Sequence, residues 1–411
     1  MRDQAAILAK RKETVERRSG MRLGQYECKV QANKLSTEQE NRVNRMFREA
    51  KWWYNTVVTS EDVFAFDAKR KTATVKLKDG AFEERPIALP AQIKQDLLKR
   101  VHSAVKTLAK LKKNGKKVGR IKPVRSVNSV PLRQLGVTYR VKPSNKLEIA
   151  GLPGKLTVNG LERVPRDAEW ANAKLIRRPT GLFVVFTVYE NRVPVQLKSV
   201  LGCDLGVKTA LTFSNGIEVD TALPTTPKIR AACRKVSKAK DGSKNRRKRL
   251  AELQVVHQKR KNVVKEVRNQ ILNITRGYAI AVQDDNVSSW QRLWGSRVQS
   301  NGVGAIKQGW KINPSSIFVG RFQRTTNVCR MCGCRLDLSL ADRVVCCPGC
   351  GHTEPRDLSA SRAIGFLGLQ LLPAERRFMP LETKPSTAML NRLQSLPHIA
   401  ARLVDDRKVG G

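Results

Sequence analysis

Three aspartates, far apart along the chain, stand where secondary-structure elements should end or begin. Asp204 closes the apolar run SVLGCD, and the glycines flanking it permit a tight exit from a central strand. Open α/β sheets place their ligands at such strand ends. The run YAIAVQDD predicts a second buried strand, ending in Gln283, Asp284 and Asp285. Asp357 opens a helix in HTEPRDLSASRAI, where the positive helix end suits its charge. Each acid alone has an ordinary explanation as a turn former, a loop acid or a helix-start residue. Brought together, three carboxylates could hold Mg2+, a hard cation that prefers oxygen ligands. Two such ions about 4 Å apart activate water and stabilise the leaving oxygen of a phosphodiester.

A second constellation is built from sulfur. Cys329-Arg-Met-Cys332 and Cys347-Pro-Gly-Cys350 form two CxxC knuckles with residues 333–346 between them. This is the spacing of a structural Zn2+ site with four thiolates. Gly333 and Gly351 follow the second cysteine of each pair, where the chain must turn around an ion. Cys346 could stand in for Cys347, although Pro348 and the 347/350 spacing favour the latter, and His352 is a further candidate ligand. A redox pair fits two matched knuckles poorly. Cys28, Cys203 and Cys233 read as isolated thiols. Cysteines gathered toward the C-terminus of a long chain argue for metal in a reducing compartment rather than a secreted disulfide scaffold. Because the module lies between the second and third acids, zinc is expected to stiffen an insertion and to position Asp357.

The third signal is charge. Lys and Arg number 79 against 35 Asp and Glu, a formal net charge of +44 spread along 411 residues. A folded chain this basic repels itself unless a polyanion neutralises it, which points to nucleic acid rather than to a solvated or lipid-facing surface. From Lys99 to Arg125 there are eleven cations and no acid. Lys106, Lys110, Lys112, Lys113, Lys116, Lys117 and Arg120 are the expected phosphate contacts of this track. No apolar run approaches the roughly 20 residues of a membrane span, and the N-terminus lacks an apolar signal core. Cytosol or nucleoid is the expected location, with no membrane partner.

The elements that must position these residues can be read in outline. Residues 1–20 are expected to be a flexible leader and 21–35 to hold a first strand. Residues 36–130 predict helices, one capped at Ser36 or Thr37 with Val43, Met46, Phe47, Ala50, Trp53 and Tyr54 on its buried face, another following Pro90. Short β segments over 131–196 suggest a small barrel or sandwich that the first strand joins, which makes the helical region an insertion. From 197 to 328 the pattern becomes α/β, with a basic helical pair broken at Asp241-Gly242-Ser243. The cysteine module over 329–352, a last helix within 353–372 and a weakly patterned tail over 373–411 complete the chain.

The order strand-Asp, basic helical hairpin, strand with acid, CxxC module and CGHTxxRD resembles the RuvC-like nuclease half of TnpB and compact type V CRISPR effectors. Asp204, Leu205, Gly206, Val207 and Leu211 match the family's DxGxxxxL motif, and Asp357 behind Arg356 matches its last motif. The resemblance spans residues 21–370. It implies an α/β RuvC-like (RNase H-like) domain with a zinc-ribbon insertion, preceded by a β-barrel wedge domain carrying an inserted helical bundle. It also implies a guide RNA, a double-stranded DNA target recognised beside a short flanking motif, Mg2+-dependent cleavage at Asp204, Asp285 and Asp357, and a nucleic-acid contact from Arg356. One position departs from the family: Gln283 falls on its middle Glu. Either Asp285, or less well Asp284, supplies that acid, or the site is disabled and the chain binds DNA without cutting it.

Overall fold

A computed structural model describes residues 4–77, 79–192, 195–221, 223, 226–339 and 341–404. The chain forms two compact units, residues 1–193 and 194–411.

The first unit opens with α1 (Gln4–Ser19). The expected flexible leader is therefore helical from Gln4 onward, because AILAKRKETVERR holds strong helix formers without Gly or Pro. Arg17 and Arg18 both reach the carboxylate of Glu169, which ties the helix end down. β1 (Arg22–Val30) leads to α2 (Thr37–Thr59), whose start is a reciprocal cap: Ser36 accepts from the Gln39 N–H and the Gln39 side chain accepts from the Ser36 N–H. Trp53 is fully buried and its indole donates to the Lys94 carbonyl, so this aromatic is core. Residues 36–130, expected to be helical, also contain a hairpin of β2 (Thr72–Lys76) and β3 (Phe82–Pro86). Its strands are short and β3 is largely exposed, so it carries no apolar alternation to read. α3 (Ala91–Lys113) buries Ile93, Leu97 and Val101.

β4 (Ser129–Leu132), β5 (Tyr139–Lys142), β6 (Lys146–Ile149), β7 (Leu156–Asn159), β8 (Glu169–Arg178) and β9 (Gly181–Glu190) complete the unit. With β1 they form one seven-stranded sheet in the order β4-β8-β9-β1-β7-β6-β5. An antiparallel sheet ending in β4 and β5 thus stands where a barrel or sandwich was expected. β1 lies between β9 and β7, so α2 and α3 are an insertion between strands of one sheet.

The second unit contains β10 (Ser199–Leu205), β11 (Leu211–Phe213), β12 (Ile217–Thr221), α4 (Thr226–Ser237), α5 (Lys244–Ile274), β13 (Tyr278–Gln283), α6 (Val287–Asn301), α7 (Val303–Lys311), β14 (Ser316–Val319), β15 (Val344–Cys346), β16 (Thr353–Pro355), α8 (Arg356–Gln370), α9 (Thr387–Gln394) and β17 (Ile399–Leu403). Its main sheet runs β14-β13-β10-β11-β12-β17. β10, β13 and β14 are parallel, whereas β10, β11 and β12 form an antiparallel meander. The expected tail is structured as far as residue 404: α9 packs Met389 and Leu393 into the core and β17 pairs along β12. Its five-residue strand alternates too briefly to stand out from sequence. Residues 405–411 lie outside the described residues.

Candidate active site and metal centre

β10 is central in the sheet, buried at every position except Asp204, which emerges near its C-terminal end. α8 lies directly against this strand. A Cβ at Gly202 would stand 2.0 Å from the Ser361 carbonyl oxygen and 2.9 Å from the Gly365 Cα, so strand and helix backbones touch there. A Cβ at Gly368 would come 2.5 Å from the Ala281 Cβ on β13. This glycine seat fixes where the first turn of α8, with Asp357, stands relative to Asp204. Gly202→Ala is therefore expected to destabilise the chain by about 1–3 kcal/mol or more through overpacking and to depress any Asp204-dependent activity. Thermal unfolding checks the first effect; an unchanged melting temperature would mean the helix shifts freely.

On the neighbouring strand the register pairs Cys203 with Val282, so Asp204 and Gln283 are level one step further on. Gln283 does not act as a stand-in acid. Its Nε2 donates to the carbonyls of Gln323 at 2.8 Å, Arg321 at 3.3 Å and Gly320 at 3.5 Å, and its Oε1 accepts from the Thr325 hydroxyl at 3.0 Å. A glutamate could not donate to these carbonyls. β13 ends at Gln283, so strand alternation does not extend to Asp285, and the following turn decides where each acid goes. Lys307 on α7, largely buried, donates to the Asp285 carbonyl at 2.5 Å and pairs with the Asp284 carboxylate at 2.7 Å. Lys311 adds a second cation 3.8 Å from Asp284. Asp284 is neutralised by lysines, and its carboxyl is held below the usual range chiefly by the Lys307 hydrogen bond.

Asp285 behaves in the opposite way. Burial pushes its carboxyl up, opposed by Lys307 and Arg321. The Asp204 carboxyl is pushed up to about 8, first by burial and then by the charges of Asp357 and Asp285, with Arg356 pulling the other way. Asp285 and Asp357 thus both act on Asp204 by charge repulsion, whereas Asp284 acts on its neighbour Asp285 and is itself paired with lysines. Asp357 accepts from the Arg356 guanidinium at 3.2 Å. Among the described residues, the metal-sized cluster of ligand atoms is the one formed by the four cysteines. Three carboxylates offer the hard oxygen ligands that Mg2+ prefers.

The metal centre is tighter. The sulfurs of Cys329, Cys332, Cys347 and Cys350 all lie within 4.8 Å of one another. Gly333 and Gly351 adopt φ of +74° and +70°, and each donates its N–H to the first cysteine of its knuckle. Cys347 belongs to this set; Cys346 instead accepts from the Thr353 hydroxyl. His352 lies 3.0 Å from Glu354 rather than among the sulfurs. Four converging thiol sulfurs with two turned knuckles fit Zn2+. Glu354, 4% exposed, also takes Arg330 from the first knuckle and Arg362 from α8. This network couples the module to the helix that carries Asp357, a link that no local spacing in the sequence announces.

In the first unit, Lys106, Lys110, Lys112 and Lys113 follow the exposed side of α3, and Lys116, Lys117 and Arg120 continue along the chain beyond it. All seven are exposed, and among the described residues none makes an ion pair. The exiting segment is held by Asn55, whose side chain exchanges hydrogen bonds of 3.0 and 2.8 Å with the Val124 backbone.

Residues 312–364 match the family model of the Cas12f1-like TNB domain. The matched segment is similar to that domain. It runs from the end of α7 through β14 and the four cysteines into α8, and so contains the zinc-fitting centre and Asp357. The match supports the resemblance to TnpB and compact type V effectors at its most specific stretch. A cryo-EM structure of a Cas12f1–sgRNA–target DNA complex is similar to this chain at 14% identity and a TM-score of 0.45, covering 80% of this chain and 82% of that one. No curated protein matches the chain. Among the described residues no helix is long and apolar enough to cross a membrane.

Proposed function

We propose that the chain is an RNA-guided DNA endonuclease with a RuvC-like site, in which guide RNA and target DNA are held by basic surfaces and the target is cut with Mg2+. The observation that carries this reading is the placement of Asp204 near the end of the central strand β10, with the helix that starts at Asp357 seated against that strand and the turn holding Asp285 following the neighbouring one. The meander continued by two parallel strands supports an RNase H-like architecture, and the TNB domain supports the family. Bound Mg2+ would polarise the phosphodiester and activate water. The chain's own part is to hold Asp204 on β10, Asp285 in the turn fixed by Lys307, and Asp357 on the seated helix. Arg356, beside Asp357, would face the backbone of the cut strand. Base pairing with the guide would choose the target beside a short flanking motif.

Gln283 favours a second reading, a guided binder that does not cut, because the position level with Asp204 holds no carboxylate. A plasmid assay with the copurified RNA as guide, in Mg2+ and then Mn2+, separates the two. Cleavage is the expected result; tight guided binding with intact DNA would sink the nuclease. Discrete RNA copurifying with the chain is expected in either case.

The lysine track makes a separate expectation. Replacing Lys112, Lys113, Lys116 and Lys117 by Ala lowers nucleic-acid affinity, and the slope of log K against log salt falls by up to about 0.9 per lost phosphate contact. A salt titration that keeps the parental slope would mean that these side chains face only water.

A further inference from the structure

We infer that Phe322 is a stacking platform for an unpaired nucleobase at the edge of the acid cluster. Its ring is 91% exposed, in the short loop between β14 and the first cysteine knuckle. A single exposed apolar side chain is ordinary, but this one is presented by a fixed backbone. The three carbonyls on Gly320, Arg321 and Gln323 converge on the Gln283 amide, and Thr325 closes the same hub from the other side. The loop is therefore pinned on both flanks of a ring that faces water. The Arg321 guanidinium lies 5.6 Å from the ring centroid, and Arg324 is exposed two residues on.

A flat exposed ring with a guanidinium against it and a second arginine two residues on matches one ligand chemistry: a base and its phosphates. Within a duplex the base faces are covered by their neighbours, so only an unpaired base offers a face to stack. Gln283, which holds this loop, stands level with Asp204 on the neighbouring strand, and that places the platform beside the acids. A nucleotide held on Phe322 would sit next to the strand segment presented for cutting. Gln283 then has a function of its own, as the positioning residue of this loop. The inference rests on the nuclease reading only for the identity of the strand.

The test uses the full chain with its copurified RNA and a short single-stranded oligonucleotide carrying 2-aminopurine. The parent should quench the probe. Phe322→Ala should lose the quench and bind roughly 5- to 150-fold more weakly, with an unchanged salt slope because no charge is removed. Phe322→Trp should restore both, and Gln283→Glu should reduce the quench by releasing the loop. Phe378, 92% exposed beside Arg376 and Arg377, is the control, and Phe378→Ala should leave the quench intact. Parental quench and affinity in Phe322→Ala would overturn the inference, as would a change in oligomeric state in place of a binding change, which would assign the ring to a protein contact. Failure of the parent chain to bind or cut DNA at all would instead overturn the nuclease reading.

Discussion

Asp204→Ala lowers guided DNA cleavage by about 10³-fold or more while guide and target binding stay within a few-fold of the parent. Single-turnover cleavage beside a filter-binding measurement checks both halves. The size follows from the position. Asp204 is the acid on which burial and both other carboxylates act, and single catalytic carboxylates in other enzymes contribute on this order or above. Its titration adds a direction. The folded state holds this proton up to about 8, whereas the unfolded chain releases it near the ordinary 3.8. The folded state thus binds more protons between those values, and metal-free stability falls as pH rises across that window. Asp204→Asn removes this dependence and should be more stable than the parent at pH 8 without metal. Because a bound cation must displace the proton, cleavage at limiting Mg2+ should climb with pH toward about 8. A flat profile at limiting Mg2+, or a robust cut by Asp204→Ala, would place the chemistry elsewhere.

Removing zinc is the second large effect. Zinc binding by four thiolates supplies roughly 10–16 kcal/mol in isolated zinc-finger peptides, and the core of this module is otherwise small: Cys329, Leu336, Val345 and Cys347, with Cys334 and Leu338 packed against it. Chelation, or Cys347→Ser, should release the bound ion and abolish hydrogen-exchange protection over 329–352. Protection across the β10 core should persist. Cleavage should be lost as well, because Glu354 spans Arg330 in the module and Arg362 on α8, the helix that carries Asp357. Zinc release by a colorimetric chelator, read beside exchange and cleavage, tests the chain of effects. Chelated protein with unchanged protection and cleavage would show the cysteines to be dispensable.

Some features were legible because their physics is local. Knuckle spacing, the ends of β10 and α3, and the charge excess are read within a few residues of themselves. The hairpin at 72–86 and the strand at 399–403 were not, since short strands carry too little alternation to declare themselves. The helical N-terminus was missed for another reason: its polar residues fit a mobile leader as well as a helix, until Glu169 supplies ionic partners for Arg17 and Arg18. The glycines at 365 and 368 could have been noticed as a helix face able to approach a sheet, although nothing in the sequence names Gly202 as the partner.

By itself, the sequence determined that this chain carries a four-thiolate module, a polyanion-seeking surface and acids at element ends. Those properties depend on residue type, near spacing and summed charge. Only the tertiary structure distinguished the two acids of the Asp284–Asp285 pair, because lysines arriving from another helix pair with the Asp284 carboxylate while burial raises that of Asp285. It also decided what Gln283 does. An amide and a carboxylate differ by one donor group, and its consequence appears only where three carbonyls of a distant loop converge on it.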